Sequence, residues 1–124
     1  MGESMNDEIT GLMEANLLAV FNERDPGRRA EAIATTYADD VRWTDDEGVA
    51  TGHAELNAKA AELQAKLPGL HFVKAGMVRQ TRGLGFLAWE VRSPDDTTVA
   101  TGFDVAEVSD GRISRLWTVL NSPE

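Results

Sequence analysis

The order of elements predicts an α+β domain, with helices gathered at the front of the chain and antiparallel strands behind them. Three observations carry this. Apolar residues recur at helical spacing through the first half, alternate at strand spacing after Gly69, and are then punctuated by short turn signals, of which Asp110-Gly111 is the strongest. Segregated helices followed by a meander lay the helices over one face of a single sheet.

Ile9, Leu12, Met13, Leu17, Val20 and Phe21 form the first helical stripe, with Asn6 or Asp7 as its cap and residues 1–7 as a flexible tail. Asn22-Glu23-Arg24 ends it. Asp25-Pro26 reads as an N-cap followed by proline at the first helical position, and Ala30, Ile33, Ala34 and Tyr37 give a second, shorter helix closed by Ala38-Asp39-Asp40. Val41-Arg42-Trp43-Thr44-Asp45 then alternates as a strand, which sets Asp45 on the side of Val41 and Trp43. Asp46-Glu47-Gly48 turns the chain into a short strand at 49–51. A third helix follows Gly52, with Leu56, Ala60, Leu63 and Leu67 as its apolar face. Glu55–Lys59 and Glu62–Lys66 are i,i+4 pairs on its solvent side. Pro68-Gly69 stops it. Four strands remain, over about 70–81, 84–92, 98–108 and 112–120. Arg82-Gly83, Ser93-Pro94-Asp95-Asp96 and Asp110-Gly111 separate them.

The 124 residues hold 12 Lys+Arg against 21 Asp+Glu, a formal charge of −9, and no cysteine. That length is one domain, residues 1–124, and 42% hydrophobic residues are enough to fold it around one core. The missing cysteines exclude disulfides, cysteine zinc sites, iron–sulfur clusters and thiol catalysis. The acidity opposes nucleic acids and anionic membranes, both of which attract lysine and arginine. The N-terminus lacks the basic and apolar regions of a secretory leader, and no apolar run approaches the ~20 residues of a membrane span. The expected location is the cytoplasm. The expected partner is a small molecule or a second copy of the chain.

Asp104 is the strongest candidate for chemistry. Gly102, Asp104, Ala106 and Val108 share one strand face. If that face is inward, burial raises the carboxyl pKa and makes a proton donor or shuttle near neutrality; if outward, the group is merely solvated. Asp45, at the end of the first strand, is either a general base or an ordinary turn aspartate. His53, opening the third helix, is a third acid–base group or an exposed first-turn residue; His71 starts a strand and is read as structural or exposed. No histidines stand at metal-ligand spacing and no calcium-loop order is present, so no metal is expected. Gly83-Leu84-Gly85 lies in a hairpin rather than between strand and helix, which leaves no phosphate loop and no cofactor fingerprint. Any chemistry is then cofactor-free proton transfer. Trp43, Trp89, Trp117, Phe86 and Phe103 are a large aromatic load, and strands 84–92 and 98–108 are apolar on both faces. Helices and a pocket cover one face; the other predicts a homodimer.

Two stretches carry a family likeness. Tyr37-Ala38-Asp39-Asp40-Val41-Arg42-Trp43-Thr44-Asp45, with Gly52 opening a helix, is one. Gly102-Phe103-Asp104-Val105, followed by Asp110-Gly111-Arg112-Ile113, is the other. Together they resemble, over nearly the whole chain, the superfamily of nuclear transport factor 2, ketosteroid isomerase and the SnoaL-like polyketide cyclases. The resemblance implies a cone-shaped α+β barrel of cystatin-like architecture, in which three helices pack on a curved, mainly antiparallel sheet around a deep apolar pocket. It implies Asp45 as general base and Asp104 as a proton-sharing acid, as in the isomerase branch. In the cyclases a single acid–base aspartate lies on the strand of Asp104. Trp43, Leu17, Tyr37, His53, Phe86 and Thr118 are the implied substrate contacts. The helix-1 position that carries an oxyanion-donating tyrosine in the isomerases falls on Leu17, with Asn16 adjacent and expected to point elsewhere. The implied function is isomerisation, aldol cyclisation or dehydration of a small apolar carbonyl compound. A non-catalytic ligand-binding or dimerisation module is the alternative. Epoxide hydrolysis is disfavoured, because the last strand, Leu116-Trp117-Thr118-Val119-Leu120, has no acid.

Overall fold

The first helix reaches further back than its apolar stripe. The structure, a computed structural model, describes residues 2–121, with side chains in this helix described from Asp7 onward. Helix α1 spans Gly2–Glu14 and runs on as a π-helical segment, Ala15–Phe21. The helix takes in residues 2–7, and nothing in Gly2–Asp7 ends a helix as proline would. Met1 lies outside the described residues, as does the side chain of Asn6, and Asp7 sits inside the helix rather than at its cap. In the π segment the Asn22 N–H reaches back five residues to the Leu17 carbonyl, at 3.2 Å, and Asn16, Leu17, Val20 and Phe21 are all buried.

Helix α2, Pro26–Thr36, starts as expected, with the Asp25 carboxylate accepting the Arg28 N–H at 2.8 Å. It ends one residue earlier than its stripe suggests, because Tyr37 is already extended and begins strand β1, Tyr37–Asp45. Its buried face is Arg29, Ile33 and Thr36, whereas Ala30 and Ala34 are exposed. Arg29 is tolerated there because its guanidinium donates to Asn57 Oδ1 (2.6 Å), Gln64 Oε1 (2.8 Å) and the Glu23 carbonyl (2.9 Å).

Strand β2, Gly48–Thr51, returns antiparallel beside β1, and helix α3 spans Gly52–Ala65. The expected strand over 70–81 is two pieces, β3 (His71–Lys74) and β4 (Arg79–Thr81), broken around Gly76 at φ +117°. Both pair with β5, Leu84–Arg92, which continues into β6, Thr98–Ser109, and β7, Arg112–Leu120. Arg82-Gly83 and Asp110-Gly111 both have positive φ at each residue, the geometry of a tight hairpin turn. The sheet order is β2-β1-β7-β6-β5-β3, with β4 also on β5; β1 and β7 run parallel and the other pairs antiparallel. Register shifts in β1, β5 and β6 bend the sheet around the helices without closing it.

The core lies between the concave face and the helices. Ile9, Met13, Leu17, Ile33, Leu56, Val41, Trp43, Leu87, Ile113 and Leu116 are essentially inaccessible. On the convex face the register sets Phe86 beside Val105 and Val105 beside Trp117, and in the next row Ala88 beside Phe103 and Phe103 beside Val119. The Phe86 and Phe103 rings are 5.4 Å apart there. Phe86 thus lies on the opposite side of the sheet from Trp89, because the two differ by an odd number of strand positions. Among the described residues no helix is long and apolar enough to cross a membrane.

Gly102 is where this packing is tightest. A Cβ there would come within 2.4 Å of both the Trp89 ring and the Val119 carbonyl oxygen. Gly102→Ala is expected to destabilise the protein by about 1–3 kcal/mol in urea denaturation and to perturb the Trp89 indole N–H resonance. A neutral effect on both would mean that this close approach is not needed.

Candidate active site

Asp104 has to be built from its neighbours, because at 2% exposure it receives almost no water. The strand parity that groups it with Gly102 and Ala106 turns it inward, onto the concave face. Three donors meet it there, from three different elements. Thr118 on β7 donates its hydroxyl to Oδ1 at 2.9 Å, Trp89 on β5 its indole N–H to Oδ1 at 3.1 Å, and Asn16 on the π segment its amide to Oδ2 at 2.8 Å. A second layer holds these donors. The Trp43 indole donates to Thr118 Oγ1 at 3.0 Å, and the Tyr37 hydroxyl donates to Asn16 Oδ1. No buried side-chain polar atom among the described residues lacks a partner.

Burial decides the electrostatics. It pushes the Asp104 carboxyl up to about 6, and the hydrogen bonds from Thr118, Trp89 and Asn16 offset only part of that rise. The Tyr37 hydroxyl is held well above its ordinary value of 10, first by burial and then by the charge of Asp104. Tyr37 is therefore a donor in this network and not a base.

Asp104 opens onto a cavity of about 380 Å³. Its walls are mostly apolar: Leu17 and Phe21 from the π segment, Trp43, Phe72, Trp89 and Val91 from the strands, and Leu63 and Leu67 from α3 and its exit. Phe21 meets Trp43 edge-on at 4.9 Å, and Phe72 meets Trp89 edge-on at 5.2 Å. The rim is charged, with Asp45, Asp46, Glu47 and Glu62 beside Lys59 and Lys66.

Of the residues singled out from the sequence, Asp104, Asp45, Trp43, Leu17 and Thr118 line this one cavity. Asp45 stands at the rim, where its Oδ1 accepts the N–H groups of Glu47 (2.9 Å) and Gly48 (3.2 Å) and the Lys59 ammonium (2.6 Å). It is at once turn residue and cavity residue. Tyr37 reaches the site only through Asn16, and Phe86 is on the convex face, so neither is a wall. His53 is not a wall either; its Nε2 lies 3.0 Å from the Tyr37 and Ala38 carbonyl oxygens, where an N–H donates.

Two further residues reach the site from positions that the sequence pattern directed elsewhere. Asn16 points inward after all, and its signal was positional: it interrupts an apolar stripe three residues after Met13 and four before Val20. Lys59 pairs with Asp45 and not with Glu55, whose carboxylate instead accepts the Thr51 N–H at 2.8 Å. Its side chain is only 19% exposed, and Nζ lies 4.7 Å from the Trp43 ring centroid. No cluster of three or more metal-ligating side chains occurs among the described residues.

Residues 15–116 match the family model described as a SnoaL-like domain. A SnoaL-like family protein from Agrobacterium tumefaciens, provisionally assigned as an isomerase, superposes with a TM-score of 0.87 at 27% identity, covering 94% of this chain and 99% of that one. A provisionally assigned ketosteroid isomerase from Kribbella flavida superposes at 0.72 and 17% identity, covering 95% of this chain and 81% of that one. A provisionally assigned polyketide cyclase from Sinorhizobium meliloti superposes at 0.68 and 16% identity, covering 87% of this chain and 93% of that one. The last two show the fold alone. No curated protein matches the sequence.

Linkage gives the site a stability signature. The folded state holds a proton on Asp104 between about pH 4 and 6 that the unfolded chain has released, so this group's contribution to stability falls as pH rises through that window. Asp104→Asn removes the titration. Between pH 5 and 7.5 the wild type is expected to lose stability relative to Asp104→Asn, on the order of 1 kcal/mol, measured by urea denaturation at both pH values. A constant difference would place the folded carboxyl near its ordinary value.

Proposed function

The chain belongs to the SnoaL-like domain family, and from that premise we propose that it binds a small apolar carbonyl compound and moves a proton on it with Asp104. The observation that carries the reading is one carboxyl, 2% exposed, opening into an apolar cavity and raised to about 6. A base that titrates near the working pH combines a useful ionised fraction with real proton affinity. Ionised Asp104 takes a proton from the carbon beside the carbonyl; that C–H bond breaks and its electron pair passes to the carbonyl oxygen. Returning the proton at another carbon is isomerisation. Expelling a β-hydroxyl as water is dehydration, and attack of the same carbon on a second carbonyl is aldol cyclisation. Asp45 faces the same cavity as a second carboxylate, but its Oδ1 is occupied by two backbone N–H groups and an ammonium. That load suits a charge held in place better than a proton carrier.

The convex face supports a proposal about assembly. Phe86, Phe103, Val105, Trp117 and Val119 form adjoining rows, and Trp117 and Val119 are 36% and 38% exposed. We propose a homodimer through this face. Trp117→Glu is expected to shift the sedimentation-equilibrium mass at tens of micromolar from dimer to monomer; an unchanged mass for both proteins would contradict it.

Proton transfer is read by deuterium exchange. In D₂O, 2-tetralone and similar bicyclic ketones are expected to exchange their acidic C–H positions faster with protein than with buffer, the rate rising with pH through about 6. Asp104→Asn is expected to slow exchange by about 10²–10⁴-fold. Binding of the ketones without exchange in the wild type would instead support the non-catalytic binding module. Equal exchange by the variant would remove Asp104 from the chemistry.

A further inference from the structure

An electron pair that passes to a carbonyl oxygen needs a hydrogen-bond donor already aimed at that oxygen within the cavity. Most donors lining the cavity are spoken for. The Trp43 indole is given to Thr118, and the Trp89 indole and the Thr118 hydroxyl are given to Asp104. Two ammonium groups remain among the lining side chains. Lys66 is 61% exposed and sits 3.7 Å from Glu47 at the outer rim. Lys59 is 19% exposed and doubly held: Asp45 takes one of its N–H donors at 2.6 Å, and the face of Trp43 backs it at 4.7 Å. An ammonium has three donors, so such a clamp fixes the group and leaves N–H bonds to spare.

Resting on the proton-transfer reading above, the geometry points to Lys59 as a catalytic residue, the donor that receives the substrate's carbonyl oxygen, with Asp45 as the residue that positions it. When the C–H bond breaks, Asp104 becomes neutral and the oxygen becomes an enolate next to a fixed cation. No other species is needed to balance the step. Reprotonation of carbon returns the electron pair and leaves Lys59 an ammonium throughout. The substrate class narrows accordingly, to ketones and 1,3-dicarbonyl compounds whose enolate oxygen can lie toward α3 while the acidic C–H faces Asp104. Asp46 and Glu62 stand on the same rim, so loss of Lys59 leaves a bound oxyanion among carboxylates with only the exposed, Glu47-paired Lys66 as a remaining lining ammonium.

The test uses 4-nitrophenolate as a stable oxyanion, followed by its visible absorption, and 4-nitroanisole as its uncharged counterpart. The background is Asp104→Asn, which imitates the neutral carboxyl present when the enolate exists. There, Lys59→Met is expected to weaken phenolate binding roughly tenfold to a hundredfold and to leave 4-nitroanisole unchanged. Lys59→Arg should retain most of the affinity. Lys74→Met, which removes a lysine paired with Glu14 outside the cavity, should have no effect. Equal losses for both probes would make Lys59 a structural residue, and no loss for either would also overturn the assignment. The parent reading is tested separately, by the tighter phenolate binding expected of Asp104→Asn over the wild type. No gain there would remove Asp104 from the ligand's surroundings, whatever Lys59 does. If neither probe binds at millimolar concentration, the cavity is not a site for such ligands and both readings fail.

Discussion

A carboxylate taken out of water must be given hydrogen bonds by the protein, and much of this structure is arranged around giving them to Asp104. Its donors come from the π segment, β5 and β7, so the carboxylate ties the helical layer to both neighbours of its own strand. Each donor is itself constrained. Gly102 leaves the space that Trp89 occupies, Trp43 holds Thr118, and Tyr37 holds Asn16. The magnitudes decide which effect wins. Three hydrogen bonds, two of them from neutral N–H groups, do not make up for the lost hydration, and the carboxyl remains raised to about 6. The ionised form is thus disfavoured by about 3 kcal/mol relative to an exposed aspartate. A fold that keeps such a group has kept a cost that core packing alone would not select.

The charge of −9 takes on a different meaning beside this site. Most of the carboxylates lie in turns and on exposed faces, and those at the rim are partly neutralised: Asp45 by Lys59 and Glu47 by Lys66. The cavity therefore passes from a charged edge to aromatic walls to one buried acid. Such a gradient suits a mostly apolar molecule with one oxygen function, which loses little hydration on entry and finds its polar partner inside.

The architecture was legible because it rests on local signals. Helical spacing, the Asp25-Pro26 cap and the two glycine hairpins each act within a few residues, and the cap and both hairpins appear where the pattern placed them. Asp104 was legible as a candidate because small and apolar same-face neighbours leave a carboxylate nothing to face except a cavity or solvent. What the pattern could not supply was the sign of a face. Strand β5 is apolar on both sides, so alternation separates Phe86 from Trp89 without saying which looks inward. Only packing against the helices decides it. Lys59 was hidden for a related reason. A long side chain on a helix surface has a plausible local partner in Glu55, and its actual partners, Asp45 and Trp43, are brought up by the β1–β2 hairpin.

The central claim is that Asp104 is a buried carboxyl whose proton affinity has been raised into the working range by its surroundings. The most direct measurement is the ¹³C carboxyl titration of Asp104 by NMR, followed together with the Trp89 indole N–H. The account predicts a midpoint near 6, with the Trp89 resonance moving at the same midpoint because its N–H donates to that carboxylate. A midpoint at or below about 4, or a Trp89 signal that ignores the titration, would contradict it.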